Sequence, residues 1–300
     1  MTSAPLPAPR TVQTRRGAVT FGEEGEGQAV LALHGAMGAW DQGAILGRLA
    51  VPEGCRIIAP SRPGFPGTAD QGDNGAQAQA ALMIDLLDAL GVTNCVVVAI
   101  SGGGPCAVLM ALMRPDLCRG LVLVSTVAGP NPVEIPRRFA VLEAIARVPG
   151  LPRLLQRWAV RSTDTAAARA FPDPEQREDL LRDPVRRALY RALTASTFEK
   201  MRGRLAASRN DFHVTATESL PLEDLRVPVL IAHGTQDPHV DFERHALAAS
   251  RRIPRAELIA LEGGGHAAIF THAAAVKSAM TRFLRTLEGA SAIDAGDPAG

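Results

Sequence analysis

Ser101 ends the apolar run "NCVVVAI" and opens the glycine-rich stretch "SGGGP". A serine hydroxyl is a weak nucleophile near neutral pH, so it does chemistry only with a base in hydrogen-bonding reach. Three other apolar runs end in groups that could serve it. His34 follows "AVLAL" and opens "HGAMG"; Asp237 lies just past "VLIAHG"; His266 closes "LIALEGGGH". Serine, acid and histidine, in that chain order, are the parts of a nucleophile–base–orienter set. In such a set the imidazole takes the serine proton and the carboxylate fixes the imidazole tautomer.

These residues can meet only if the apolar runs are neighbouring strands. "NCVVVAIS" is rich in β-branched residues and apolar throughout, which predicts a strand buried on both faces, as in the middle of a parallel sheet. "AVLALHG", "CRIIAP", "GLVLVST", "VPVLIAHG" and "AELIALEGG" read as further strands, and "TVQTRRG" with "AVTFGEE" as a polar-alternating hairpin. Helical patterns lie between them. "AQAQAALMIDLLDALG" places Leu82, Leu86, Leu87 and Leu90 on one face and stops at Gly91; "GGGPCAVLMALMRPD" stops at Pro115. "DFERHALAASRRI" and "AAAVKSAMTRFLRTLE" are later helices. Strand–helix alternation predicts an α/β fold with helices on both faces of a parallel sheet. Ligands bind such sheets at the C-terminal ends of the strands, where all four candidates lie. From about residue 130 to 220 the rhythm changes to arginine-rich helical patterns without a strand signal, which reads as an inserted cap or lid. Residues 1–10 and 289–300 are expected to be disordered.

The motifs "HGAMG", "AISGG", "HGTQDP" and "EGGGH", in this order and spacing, resemble the α/β-hydrolase family over residues 11 to 288. The resemblance implies a mostly parallel eight-stranded sheet with helices on both faces and a helical cap inserted after the sixth strand. The core would be 11–130 and 221–288, the cap 131–220. It implies Ser101 as nucleophile on a tight strand-to-helix elbow, His266 as base and Asp237 as orienting acid. The backbone N–H groups of Ala36 and Gly102 would form the oxyanion hole, where loss of one donor typically costs about 3 to 4 kcal/mol. The elbow needs small residues two before and two after the serine, here Ala99 and Gly103. The family usually has glycine at the first of these places, so Ala99 is a departure, though still small. Ile100 stands where many members carry histidine.

Each residue also has a plainer reading. Ser101 could be a loop serine or a helix N-cap. A phosphate cradle is excluded, because no lysine follows the glycines; a dinucleotide fingerprint is opposed by Pro105 and by the lack of an acid about 20 residues later. Asp237 could be a turn residue before Pro238; its neighbour Asp241 reads as the cap of the following helix. "STVAGPNPV" carries no acid that could replace Asp237. His239 and His272 compete with His266, His34 reads as structural support for its loop, and His233 as a core histidine. In "SRPGFPGT", Gly64 and Gly67 permit a sharp turn, and Arg62 either pairs with an acid or is solvated.

The 300 residues are 46% apolar and 21% charged, with a formal net charge of +1. No global field favours nucleic acid or an anionic membrane, and 4% aromatics argue against base-stacking platforms. Cys55, Cys95, Cys106 and Cys118 make no C-x-x-C pair or metal-ligand spacing and read as buried thiols, suited to a reducing compartment. With no signal-peptide core and no run of about 18 apolar residues, cytoplasm is expected and a membrane span is not. No metal or organic cofactor is implied, and the partner is a small-molecule substrate. Between 131 and 220 there are fifteen arginines and one lysine against eleven acids. Solvated helix faces are the favoured reading of that surplus, capture of a carboxylate substrate the other. Candidate pocket residues in the cap are Phe139, Trp158, Phe171, Tyr190, Phe198 and Met201. The expected activity is serine hydrolysis of an ester, lactone or related acyl bond. C–C bond hydrolysis, perhydrolase (haloperoxidase-type) chemistry or lyase chemistry on the same residues, and a non-catalytic receptor, are the alternatives. A dehalogenase or epoxide hydrolase would need aspartate at 101. Activity is expected to rise as His266 loses its proton.

Overall fold

A computed structural model describes residues 5–132, 135 and 137–294. The strands are β1 (Arg10–Thr14), β2 (Gly17–Glu24), β3 (Gln28–Leu33), β4 (Cys55–Pro60), β5 (Cys95–Ile100), β6 (Cys118–Val124), β7 (Val229–Gly234) and β8 (Ala256–Leu261). They form one sheet in the order β1-β2-β4-β3-β5-β6-β7-β8. The β1–β2 and β2–β4 pairs are antiparallel; β4–β3, β3–β5, β5–β6, β6–β7 and β7–β8 are parallel. The expected mostly parallel eight-stranded sheet is therefore present. Its β3 and β5 lie in the middle, so the loops that follow them face each other across one strand spacing.

The central strands send alternate side chains to opposite layers, as a two-residue period demands. Leu31 and Leu33 of β3 with Val97 and Ala99 of β5 enter one apolar layer, while Val30, Ala32, Val96 and Val98 enter the other. The first layer is closed by α2 (Ala76–Ala89) and α3 (Gly104–Met113). Leu82, Leu86 and Leu87 of α2 are fully buried, as the helical period requires. The second layer is closed by α1 (Trp40–Ala50).

After β6 the chain leaves the sheet for six consecutive helices: α4 (Arg138–Arg147), α5 (Leu151–Arg161), α6 (Thr163–Ala170), α7 (Pro174–Arg182), α8 (Pro184–Phe198) and α9 (Met201–Thr217). Asp173 and Asp183 cap α7 and α8, accepting from Gln176 N–H and from Val185 and Arg186 N–H. This insertion shares the second apolar layer. Phe171, Tyr190 and Phe270 stack edge to face with centroids 5.3 and 5.5 Å apart. The chain then re-enters the sheet at β7, passes through α10 (Ala248–Arg252), β8 and α11 (Ala268–Thr271), and ends in α12 (Ala273–Asp294).

Of the end segments 1–10 and 289–300, residues 5–10 and 289–294 are among the described residues. Leu6 packs on the second layer, the Pro5 carbonyl accepts from Arg48, and β1 begins at Arg10. Helix α12 continues through Gly289 to Asp294. Val276, Met280, Phe283 and Leu287 anchor it on the sheet, and a nucleated helix adds residues such as Ala290 and Ala292 at little cost. Residues 1–4 and 295–300 lie outside the described residues.

Candidate active site

β5 ends at Ile100, a single 3₁₀ turn spans Ser101–Gly103, and α3 follows with Pro105 in its first turn. Ser101 takes φ +52°, the left-handed region that costs a non-glycine residue on the order of 1–3 kcal/mol and persists where surroundings enforce it. The turn lifts its side chain above the sheet. The crossing of β3 under the turn is tight: a Cβ at Gly103 would lie 2.7 Å from the His34 carbonyl oxygen and 3.0 Å from that of Leu33. Both obstacles are backbone, so only glycine fits. At Ala99, fully buried, the methyl group is accommodated.

On one side of Ser101 stands a short relay of hydrogen bonds. Ser101 Oγ lies 3.0 Å from His266 Nε2, and His266 Nδ1 lies 2.8 Å from Asp237 Oδ2. A carboxylate can only accept, so Nδ1 carries the proton and Nε2 is left to accept from the serine hydroxyl. Asp237 Oδ1 accepts from the N–H groups of His239 (2.9 Å) and Val240 (3.0 Å). His233, fully buried, donates from Nε2 to the Val240 carbonyl and stands 3.4 Å from Asp237 Oδ2. Burial opposes ionisation of Asp237, but hydrogen bonds from His233, His266 and the backbone outweigh it and hold the carboxyl well below the usual carboxylate range. Asp241 caps the next helical turn by accepting from Arg244 N–H. His272 bonds the Glu262 carbonyl and Thr271, and His239 stands edge-on to His266 at 5.3 Å. The histidine reaching Ser101 is His266.

The other side of Ser101 is built differently. His34 is fully buried, donates from Nδ1 to the Gly35 carbonyl (2.8 Å) and accepts at Nε2 from the Arg62 N–H (3.1 Å). Burial, then the charge of Arg62, pushes its pKa well below the ordinary imidazole value. It is a neutral strut for its loop, in line with the structural reading. Met37 (φ +58°) donates its N–H to Ser208 Oγ of α9 at 2.7 Å. The Met37 carbonyl accepts from Gln42 Nε2 (3.1 Å) and from Arg204 Nη1 of α9 (3.0 Å). Arg204 also pairs with buried Asp41 at 2.5 Å.

Arg62, whose environment the sequence leaves open, is wholly buried. It grips Asp211 of α9 with two bonds (2.8 and 2.5 Å) and donates to Gln79 Oε1 (2.8 Å) and the Gly102 carbonyl (3.2 Å). Its guanidinium stacks on Phe65. Burial raises the Asp211 pKa, and Arg62 opposes the rise. A Cβ at Gly102 would lie 2.9 Å from Asp211 Oδ2. The first glycine of the triplet is thus kept free of a side chain by an acid 109 positions away in sequence.

Between the two flanks is a cavity of about 340 Å³ bordered by Ala36, Ser101, Gly102 and His266. Ser101, His266 and the two residues expected to supply the oxyanion donors therefore face one space. Its walls are mostly apolar: Ile45, Leu46 and Leu49 of α1, Ile269 and Phe270 of α11, and Leu193, Phe139 and Phe212 from the insertion. Of the six cap residues expected to line it, Phe139 does. Phe171 and Tyr190 are spent in the second layer, Phe198 and Met201 pack against Phe139 from outside the cavity, and Trp158 is 55% exposed. Among the described residues no lysine or arginine lines the cavity. Cap arginines pair with nearby acids instead: Arg186 with Asp179 and Asp183, Arg187 with Asp164, Arg182 with Glu178, Arg209 with Glu143. All four cysteines are free and buried, and burial pushes Cys106 and Cys118 up to about 12, so none is a poised nucleophile.

Sequence reasoning missed Arg204, Ser208 and Asp211. Their spacing places them on one helix face, but the apolar Met201, Leu205, Phe212 and Val214 of α9 form no clear stripe opposite a polar one, and nothing in its pattern marks these three as inward residues.

A family model described as "Alpha/beta hydrolase family" matches residues 30–279. An alpha/beta hydrolase fold protein from Nakamurella multipartita superposes with a TM-score of 0.81 at 29% identity, over 94% of this chain and 98% of that one. The 2-hydroxymuconate semialdehyde hydrolase of Pseudomonas putida is 26% identical over 89% of this chain and 88% of its own length. The pimeloyl-[acyl-carrier protein] methyl ester esterase of Aromatoleum aromaticum is 27% identical over 74% of this chain and 84% of its own.

Proposed function

This chain belongs to the alpha/beta hydrolase family, and from that premise we propose that it hydrolyses a carboxylic ester of a small, uncharged, mainly apolar molecule through an acyl-enzyme on Ser101. The observation that carries the reading is the unbroken line from Ser101 Oγ to His266 Nε2 and from His266 Nδ1 to Asp237 Oδ2.

In the proposed reaction Oγ attacks the ester carbonyl carbon while its proton passes to His266 Nε2. Asp237, kept ionised by its partners, stabilises the imidazolium. Negative charge collects on the former carbonyl oxygen, where the N–H groups of Ala36 and Gly102 receive it. Collapse expels the alkoxide, which takes the proton from Nε2 and leaves as the alcohol. Water then enters, gives a proton to His266, attacks the acyl carbon and releases the acid with Ser101 restored.

The substrate class rests on the cavity. Its walls are mostly apolar, Asp211 borders it, and no lysine or arginine among the described residues lines it, so a carboxylate would lose its hydration without a permanently charged partner. That weighs against an anionic substrate such as the 2-hydroxymuconate semialdehyde in the name of the Pseudomonas relative, and against C–C bond hydrolysis of a carboxylate on the same triad. The buried free thiols suit a reducing cytoplasm.

Incubation with a fluorophosphonate should label the wild type at Ser101 and leave Ser101→Ala unlabelled. A p-nitrophenyl ester panel varied in acyl length and terminal charge should favour neutral acyl chains over carboxylate-terminated ones. An unlabelled wild type that turns over no ester would overturn the proposal.

A further inference from the structure

Each expected oxyanion donor lies between two peptide planes, and each of those planes is held by a named partner. Ahead of the Ala36 N–H, the Gly35 carbonyl accepts from His34 Nδ1 (2.8 Å) and Gly38 N–H (3.2 Å). Since a trans peptide is planar, a fixed Gly35 carbonyl points the Ala36 N–H the opposite way. Beyond Ala36, the next N–H, that of Met37, is tied to Ser208 Oγ at 2.7 Å. At Gly102 the arrangement repeats. The Ser101 carbonyl ahead of it accepts from Gly104 N–H, and the Gly102 carbonyl beyond it accepts from Arg62 Nη1 at 3.2 Å. Arg62 is in turn held by Asp211 at 2.8 and 2.5 Å.

One of the two ties at each donor therefore leads to the same helix. Ser208 acts directly and Asp211 through Arg62. Arg204 secures the Met37 carbonyl (3.0 Å) and anchors α9 to Asp41 of α1 (2.5 Å). Positions 204, 208 and 211 follow the spacing of a single helix face, and all three are buried. The two ion pairs run in opposite senses: the cap supplies the cation to Asp41 and the anion to Arg62. Apolar side chains would have sufficed to seat a lid. These are polar atoms aimed at the peptide groups on either side of the donors.

We infer that α9 is the positioning element of the oxyanion site: its buried face Arg204–Ser208–Asp211 sets the directions of the Ala36 and Gly102 N–H groups, so the cap takes part in turnover as well as in covering the substrate. These three are positioning residues, since they act through Met37, Arg62 and Gly102. The inference rests on the proposed ester hydrolysis through Ser101.

The test compares Ser208→Ala and Asp211→Asn with wild type and with Arg202→Ala, a change on the exposed face of α9. A p-nitrophenyl ester gives kcat and KM; a trifluoromethyl ketone, which forms a tetrahedral oxyanion adduct on the serine, reports the donors; the product alcohol reports ground-state binding. Ser208→Ala is expected to lower kcat about 10- to 100-fold, less than complete loss of a donor. Ketone affinity should fall in parallel, while KM and alcohol affinity stay within about twofold. Asp211→Asn, the same shape without the charge, should show the same split with a smaller fall, and Arg202→Ala should match wild type. A wild type that neither takes a fluorophosphonate nor hydrolyses ester removes the functional reading and this inference with it. An active wild type with kcat unchanged in both α9 variants, or with losses that appear in KM and alcohol binding instead, overturns the role of α9 alone.

Discussion

The two flanks of Ser101 are held by different means. The His266–Asp237 flank belongs to two adjacent strand-end loops, after β7 and β8, and is held by short-range hydrogen bonds: His239 and Val240 N–H to one Asp237 oxygen, His266 to the other. The Ala36–Gly102 flank depends on groups far away in sequence, Ser208 on Met37 and the Arg62–Asp211 pair on Gly102. A flank held locally can be perturbed without unfolding anything. A flank held by buried charges between two parts of the fold couples catalysis to stability.

The sharpest breaks are at Ser101, the point shared by both flanks, and at His266, the residue of the local flank that touches it. Ser101→Ala and His266→Ala should each lower kcat by roughly 10⁵- to 10⁶-fold while leaving urea unfolding close to wild type. Asp237→Asn, which alters the local flank alone, should cost about 10⁴-fold in kcat by favouring the wrong imidazole tautomer.

The remote flank should answer in stability. Arg62→Met leaves the buried Asp211 carboxylate without its cation, and losing one partner of such a pair costs about 3 to 5 kcal/mol. Urea unfolding should show that loss together with a fall in kcat. A variant as stable as wild type would mean that the cap is seated by its apolar contacts alone.

The next effect concerns pH. His34 is held neutral, its folded pKa well below the ordinary value, mainly by burial and then by Arg62; His245 is lowered too, by burial first. In the unfolded chain both bind protons below about 6.5. Their contribution to stability is therefore fully present only above that pH and is lost as pH falls toward their folded pKa values. Thermal midpoints measured from pH 7.5 to 5 should decline, and His34→Gln should flatten part of the slope. Asp237, lowered in the folded state, adds its own loss only as pH falls further, below about 4. The smallest effect should come from the surface of the insertion. Arg187 and Asp164 are both more than half exposed, so Arg187→Ala should change stability by less than about 1 kcal/mol and leave kcat/KM as it was.

The same division governs what the bare sequence reveals. β5, its elbow and the loops after β7 and β8 are announced by apolar runs that end in Ser101, Gly234-Thr235-Gln236-Asp237 and Gly263-Gly264-Gly265-His266, because a buried strand and its turn write a local pattern. The change of rhythm near residue 130 likewise marks the six helices of the insertion. Which aromatic residues face the cavity is not written locally: Phe139 lines it, while Phe171 and Tyr190 pack in the core with Phe270. Helix phase depends on how the insertion lies over the sheet, and that is set by packing across the whole fold.

"AISGGGP" contains both kinds of information. That Ser101 sits on a tight turn, with small Ala99 and Gly103 around it, follows from the residues themselves, since sterics between neighbours in the chain decide it. Why Gly102 must be bare follows from Asp211 and Arg62, which reach it only after 109 and 40 intervening steps of chain have been folded into place. Local sterics and hydrogen-bond chemistry are properties of the sequence. The partner of a buried charge is a property of the tertiary structure, because desolvation forces a pairing without dictating from which part of the chain the partner comes.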